Sequence, residues 1–210
     1  MQPSPPLATT SLLDVCALRG SVFADINLQL AAGECVALSG PSGSGKTVLL
    51  RALVDLDPNE GEVALDGEPR RSFAPAEWRR SVALVPAEPA WWGTLVSEHF
   101  PVGCKPPLAM LGLSAQALDW EVARCSSGER QRLALLRALV REPRVLLLDE
   151  ATANLDETSR GRVEVLIADF QRSGGAVLWV THDAAQAARV AQRWLTLRDG
   201  RLLQVDTAHT

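Results

Sequence analysis

The stretch that most constrains this chain is Gly40-Pro41-Ser42-Gly43-Ser44-Gly45-Lys46-Thr47. It fits the spacing G-x-x-x-x-G-K-[ST]. It lies between an apolar run, Cys35-Val36-Ala37-Leu38-Ser39, and a helix-like run that opens Val48-Leu49-Leu50-Arg51-Ala52-Leu53. Strand, loop and helix in that order is the context such a motif needs. The glycines let the backbone turn its N–H groups inward as a nest, and the N-terminus of the following helix adds partial positive charge; both favour phosphate oxygens. In that setting Lys46 reaches the β- and γ-phosphates of a nucleoside triphosphate and the Thr47 hydroxyl ligates Mg²⁺. A glycine-rich turn with no ligand accounts for the loop but not for the strand and helix on either side.

A second constraint lies about a hundred residues downstream. Arg144-Val145-Leu146-Leu147-Leu148-Asp149-Glu150 is an uninterrupted apolar run that ends in two carboxylates. Such a strand belongs in the middle of a covered, largely parallel sheet whose C-terminal edge opens toward the ligand. At that edge Asp149 is placed to hold Mg²⁺, and Glu150 to orient or deprotonate an attacking water. Ala176-Val177-Leu178-Trp179-Val180-Thr181 reads as another buried strand, with His182 at its end facing the same phosphates.

The remaining pattern predicts strands over 12–17, 26–30, 62–65 and 81–85, with helices over about 114–124, 157–171 and 184–193. A further helix is capped by Ser126 or Ser127 and closed by Pro143, and a hairpin turns at Asp199-Gly200. Between Ala87 and about Ala109, four prolines predict loops and short helices. The expected organisation is a loose tail over 1–11 and one α/β nucleotide-binding domain over 12–210, with a short helical subdomain over about 87–140. The 21 Lys and Arg against 25 Asp and Glu leave a net charge of −4, so no general electrostatic attraction to nucleic acid is expected. Cys16, Cys35, Cys104 and Cys125 form no CxxC pair and read as reduced, largely buried thiols. With no membrane-length apolar run, a cytosolic chain is expected.

These residues resemble the ATP-binding cassette (ABC) ATPases over nearly the whole chain, from about Leu12 to Val205. Gly40 to Thr47 is similar to Walker A, Val145 to Asp149 with Glu150 to Walker B and its catalytic glutamate, Ala153-Asn154-Leu155-Asp156 to the D-loop, and His182 to the switch histidine. The most specific match is Cys125-Ser126-Ser127-Gly128-Glu129-Arg130-Gln131-Arg132, which resembles the LSGGQ signature in its ERQR variant. The resemblance implies a P-loop NTPase (RecA-like) core with a mainly parallel central sheet, an N-terminal antiparallel β subdomain and a short helical subdomain. It implies an ATPase in which Lys46, Glu150 and His182 are catalytic. Gly40 to Thr47 hold ATP, Thr47 and Asp149 hold Mg²⁺, and Ser126, Ser127, Gly128, Glu129 and Asp156 complete the nucleotide site of a second cassette. It also implies an integral membrane permease as partner, with this chain on the inner face of the membrane. The wording around Ala176 to Asp183 is most similar to compact exporter-type cassettes, some linked to metal ions.

Several positions depart from the family pattern. Cys125 replaces the usual leucine of the signature and Ser127 its first glycine. Ala87 stands where the Q-loop glutamine is expected, and 18–22 contains no aromatic to stack on adenine, leaving Arg19 as a substitute. These departures suggest a non-hydrolysing structural cassette as a rival, which intact Lys46, Asp149, Glu150 and His182 oppose. A small phosphate-loop kinase leaves the signature and His182 unexplained. Proteins of this family that act on ribosomes or DNA usually carry a second cassette or a long coiled coil.

Overall fold

The computed structural model describes residues 11–205. Two sheets share one core. Strands β1 (Ser11–Arg19), β2 (Ile26–Ala31), β4 (Glu60–Leu65) and the short β5 (Glu68–Pro69) form an antiparallel sheet in the order β2-β1-β4-β5. The second sheet has six strands: β3 (Cys35–Ser39), β6 (Val82–Val85), β7 (Val145–Asp149), β8 (Ala176–Val180), β9 (Arg193–Arg198) and β10 (Arg201–Gln204). Their order is β10-β9-β3-β8-β7-β6, parallel throughout except for the β9–β10 hairpin. The hairpin turns on Asp199 and Gly200, both at positive φ, as a two-residue turn matched to strand twist requires. Residues 1–10 of the anticipated tail lie outside the described residues, and Ser11 begins β1.

The unbroken apolar runs of β7 and β8 are two interleaved alternations. Val145 and Leu147 of β7, with Leu178 and Val180 of β8, join a core shared with β1, β2, β4 and helix α1 (Lys46–Leu53). Leu146, Leu148, Val177 and Trp179 point the other way, into a core under α3 (Ser127–Leu139) and α4 (Glu157–Arg172). Because both faces are covered, every residue of these strands is buried. Up to Asp149 at the end of β7, the sequence pattern therefore carries no polar position.

Helix α2 (Pro75–Ser81) is an addition to the sequence reading. Pro75 opens it, and Trp78, 1 % exposed, donates its indole N–H to Leu53 O at 2.9 Å. The helix expected over 114–124 does not form; that stretch makes short 3-10 turns at Ala117–Asp119 and Val122–Arg124. Its backbone is engaged elsewhere: Val96 N–H donates to Trp120 O and Val122 N–H to Thr94 O, both at 2.9 Å, around an antiparallel bridge between Leu95 and Glu121. Ser114 closes only a local turn, accepting from Gln116 N–H. Helix α5 (Ala184–Val190) ends earlier than expected, because Gln192 is drawn onto β3: Gln192 N–H donates to Cys35 O, and Cys35 N–H to Gln192 Oε1. All four cysteines are free, but only Cys35 and Cys125 are buried, and Cys16 is exposed. Burial, helped by the Glu34 charge, pushes the Cys35 thiol up to about 12, so it behaves as a small apolar side chain.

Candidate functional site

β3, β7 and β8 are neighbours and parallel, so the loops leaving their C-terminal ends converge at one edge of the sheet. The loop after β3 is the glycine-rich stretch. Gly40, Gly43 and Gly45 all have positive φ, and Gly45 is the left-handed residue that starts α1. A side chain on Gly40 would meet Leu197 O at 2.4 Å, and one on Gly45 would meet Val22 Cγ2 at 2.6 Å. The loop is thus held between β9 and the β1–β2 connection.

Lys46 is 6 % exposed and folds back over its own loop, donating to Gly40 O and Pro41 O at 2.9 Å each. Ser44 Oγ, buried in the same loop, has no hydrogen-bond partner. A buried ammonium satisfied only by carbonyls, beside an orphaned hydroxyl and a set of inward glycines, suits an anion of phosphate size.

Thr47 Oγ1 donates to Asp149 Oδ2 at 2.7 Å, across from β3 to β7. Asp149 is 4 % exposed. Burial pushes its carboxyl above the ordinary range, and the Glu150 charge adds to this, against the Thr47 hydrogen bond and the charges of Lys46 and His182. One hydroxyl and one carboxylate oxygen side by side are hard donors of the kind Mg²⁺ takes. Glu150, the next residue, has φ 49°, the left-handed conformation that a glutamate adopts only when its surroundings hold it there. Its N–H donates to Val180 O at 3.1 Å, and its Oε1 lies 3.0 Å from His182 Nε2. The structure therefore brings Lys46, Thr47, Asp149, Glu150 and His182 to one place.

The signature residues form a separate cluster. Ser126 caps α3 in a reciprocal box: its Oγ accepts from Glu129 N–H at 3.2 Å, while Ser126 N–H donates to Glu129 Oε2 at 2.8 Å. Glu129, assigned to nucleotide from the sequence, spends its carboxylate on this cap, and the Ser126 N–H holds it below its ordinary range. Ser127 is the first residue of α3. Gly128 packs closely on the loop before α4: a side chain there would lie 3.2 Å from Leu155 Cδ2 and 3.5 Å from Asn154 O, so the leucine would have to give by a few tenths of an ångström. Asp156 likewise serves as a cap, for α4: Oδ1 accepts from Ser159 N–H and Oδ2 from Ser159 Oγ, both at 2.9 Å. Arg132 ties the two caps together, donating to Gly128 O and to Ser159 Oγ.

Sequence reasoning missed how α3 grips the segment after β6. Gln131 Nε2 donates to Pro86 O at 3.1 Å, next to the alanine in the Q-loop position, and Arg137 Nη1 donates to Ala90 O at 3.0 Å. The Arg137 guanidinium stacks over Trp91 at 4.6 Å and Trp92 at 5.1 Å. Buried His99 closes the cluster, its Nε2 accepting the N–H groups of Trp92 and Gly93 at 3.0 Å and both indoles packing edgewise on its ring. Trp92 nonetheless stays 70 % exposed. Two adjacent tryptophans after a proline were the available signal; the histidine and arginine that order them were not legible.

A family model described as ABC transporter matches residues 23–153. The chain is 42 % identical over 188 residues to the aliphatic sulfonates import ATP-binding protein SsuB 2 of Pseudomonas syringae pv. syringae (strain B728a), covering 88 % of this chain and 66 % of that protein. It is 43 % identical over 197 residues to the aliphatic sulfonates import ATP-binding protein SsuB 1 of Nocardia farcinica (strain IFM 10152), covering 90 % and 77 %. The chain thus spans just under two thirds of the first relative's length. Among solved structures, the ATP-binding subunit of an ABC transporter superposes with a TM-score of 0.86 at 24 % identity, over 94 % of this chain and 90 % of that one. An ATP-binding cassette solved as a dimer in a post-hydrolysis state with ADP and Pi gives 0.79 at 24 % identity, over 94 % and 100 %. At that identity these two establish the fold: a P-loop core with its antiparallel β subdomain. With the family model and the relatives, the conclusion is that the chain belongs to the ABC transporter family.

Proposed function

We propose that this chain is the ATP-hydrolysing subunit of an ABC importer for organic sulfonates, working as a pair of cassettes beneath a membrane permease. The observation that carries the catalytic part is the meeting of Lys46, the Thr47–Asp149 pair and the Glu150–His182 pair at one sheet edge. The transport part rests on the relatives, whose names specify import of aliphatic sulfonates. Import replaces the exporter expectation, which none of these names supports. Among the described residues no helix is long and apolar enough to cross a membrane, which is consistent with a peripheral, cytoplasmic subunit on a separate permease. Residues 12–210 act as one cassette in this reading, with about 87–140 as the part that bears the signature and faces the partners.

The chemistry follows from the geometry. Lys46 exchanges its two carbonyl partners for the β- and γ-phosphate oxygens of ATP, and the loop's amides and the unpartnered Ser44 hydroxyl add to the cradle. Thr47 and Asp149 would hold Mg²⁺, which when bound neutralises phosphate charge. Glu150 takes the proton of the attacking water, and His182, hydrogen-bonded to that carboxylate, fixes its direction. The Ser126 cap and the first turn of α3 offer amides to the nucleotide of the opposite cassette. The signature residues of one chain would then serve the other's site, which is why two copies are needed.

The test couples chemistry to transport. Lys46→Ala should lose MgATP affinity. Glu150→Gln should bind MgATP, accumulate as a dimer in solution and turn over at least about a hundredfold more slowly. In cells lacking the native protein, Glu150→Gln should fail to restore uptake of a labelled alkanesulfonate that wild type restores. Full turnover in Glu150→Gln would remove its role as base; uptake that never depended on the chain would refute the substrate class while leaving the ATPase intact.

A further inference from the structure

One buried polar side chain beside the site is not used by this mechanism. Gln186, 1 % exposed, sits in the first turn of α5, where its N–H donates to the capping Asp183 Oδ1 at 3.0 Å. Its amide reaches two strand ends at once. Oε1 accepts from Thr181 Oγ1 at 2.9 Å, while Nε2 donates to Thr152 Oγ1 at 2.9 Å and to Glu164 Oε1 at 3.1 Å. Thr181 Oγ1 in turn accepts from Asp183 N–H at 3.1 Å, so one hydroxyl brackets His182 from both sides. Thr152 lies in the turn that begins at Glu150 and is closed by Ala153 N–H donating to Glu150 O at 3.0 Å.

The orientation of this amide is determined. Flipped, its oxygen would face the Glu164 carboxylate. Glu164 is held by Arg189, whose Nε and Nη2 donate to it at 3.1 and 2.8 Å. Burial alone would raise the Glu164 carboxyl, but the bonds from Arg189 and Gln186 outweigh it and leave it below the ordinary value, hence ionised. Glu150 meanwhile adopts its left-handed backbone, a conformation that relaxes unless neighbours hold it.

Building on the ATPase reading above, we infer that Gln186 is a positioning residue for hydrolysis: its amide ties the turn carrying Glu150 to the strand end carrying His182 and so sets their 3.0 Å separation. Its amide is buried and bonded to Thr181, Thr152 and Glu164, so in this reading it acts on turnover rather than on binding.

The experiment is MgATP turnover by the full chain, with thermal melts and nucleotide binding measured beside it. Gln186→Leu, similar in size but without the amide, should lower kcat at least about tenfold while KM stays within about threefold. Thr181→Val should do the same, the double variant should fall no further than the worse single one, and Thr181→Ser should recover most of the loss. The inference is overturned if Gln186→Leu keeps kcat within about twofold of wild type, if the loss is confined to KM, or if the two substitutions add. Should Gln186→Leu not fold, the Thr181 pair decides alone: equal turnover by the valine and serine variants refutes the coupling. A folded wild-type chain that binds MgATP without turning it over refutes the ATPase reading instead.

Discussion

The edge of the central sheet and the segment between β6 and α3 are built on different principles. At the edge, each functional residue is fixed by the strand it terminates: Asp149 is the last of the five buried residues of β7, Glu150 follows it, and His182 lies just beyond β8. The intervening segment, from Pro86 to Cys125, contains no α-helix among its described residues and is ordered by side chains and single backbone bonds: His99 under the tryptophans, Arg137 on Ala90, one bridge at Leu95. The first arrangement holds its side chains in place because it is tied into the cooperative core. The second presents a surface whose parts can shift without unfolding the sheet.

Hydrogen exchange is the most direct way to break that comparison. Amides of Leu146, Leu147 and Leu148 should exchange only through global unfolding, and those over 94–124 at least about a hundredfold faster, about 2.7 kcal/mol lower in opening free energy. Equal protection would make the molecule one cooperative unit. A smaller effect is expected from Trp92→Ala. Its indole is largely outside the fold, so stability should change by less than about 1 kcal/mol, whereas affinity for the proposed permease should drop by about 2 kcal/mol. Retention of the permease at wild-type strength would assign the pair to the segment's own packing.

The smallest effect sharpens the other side. Because Asp149 keeps a raised carboxyl pKa in the fold, the native state holds its proton more tightly than the unfolded chain does. Stability contributed by this group is then greatest at low pH and falls as pH rises from the ordinary aspartate value through the raised one. Asp149→Asn should remove that slope and stabilise the nucleotide-free chain at neutral pH by about 1 kcal/mol, or about 2–4 °C in Tm, while losing Mg²⁺-dependent turnover. A melt unchanged or lowered at pH 7 would show that the burial penalty is already offset.

What could be read from the sequence divides along the same line. β7, β8, the glycine-rich loop and a helix cap at Ser126 or Ser127 were legible because local pattern and tertiary demand agree there: a doubly covered strand is apolar up to its functional end, and a phosphate loop has glycine where φ is positive. The 114–124 stretch misled because its helical spacing of apolar residues was overridden by backbone pairing with Thr94 and Val96, partners some twenty-five residues away. The capping duties of Glu129 and Asp156 were hidden for a different reason. Family resemblance marks a residue as part of a site without saying whether it meets the ligand or the backbone beside it. Gln186 gave no signal at all, since one glutamine in a short helix is ordinary until Thr152 and Thr181 are seen on either side of it.

Helix α3 has a consequence for how force moves through the molecule. Its first turn is the signature, and Arg137, ten residues along and about 15 Å away, clasps Ala90 and the two indoles. Gln131, between them, holds Pro86. In the proposed dimer, anything that tilts the capped end toward a nucleotide swings the tryptophan end by a matching arc, because a helix of thirteen residues has no joint in its middle. The glutamine absent at position 87 need not act as a linkage in such a device: in the proposed assembly the helix is itself the lever, with the opposite cassette's nucleotide at one handle and the proposed permease at the other.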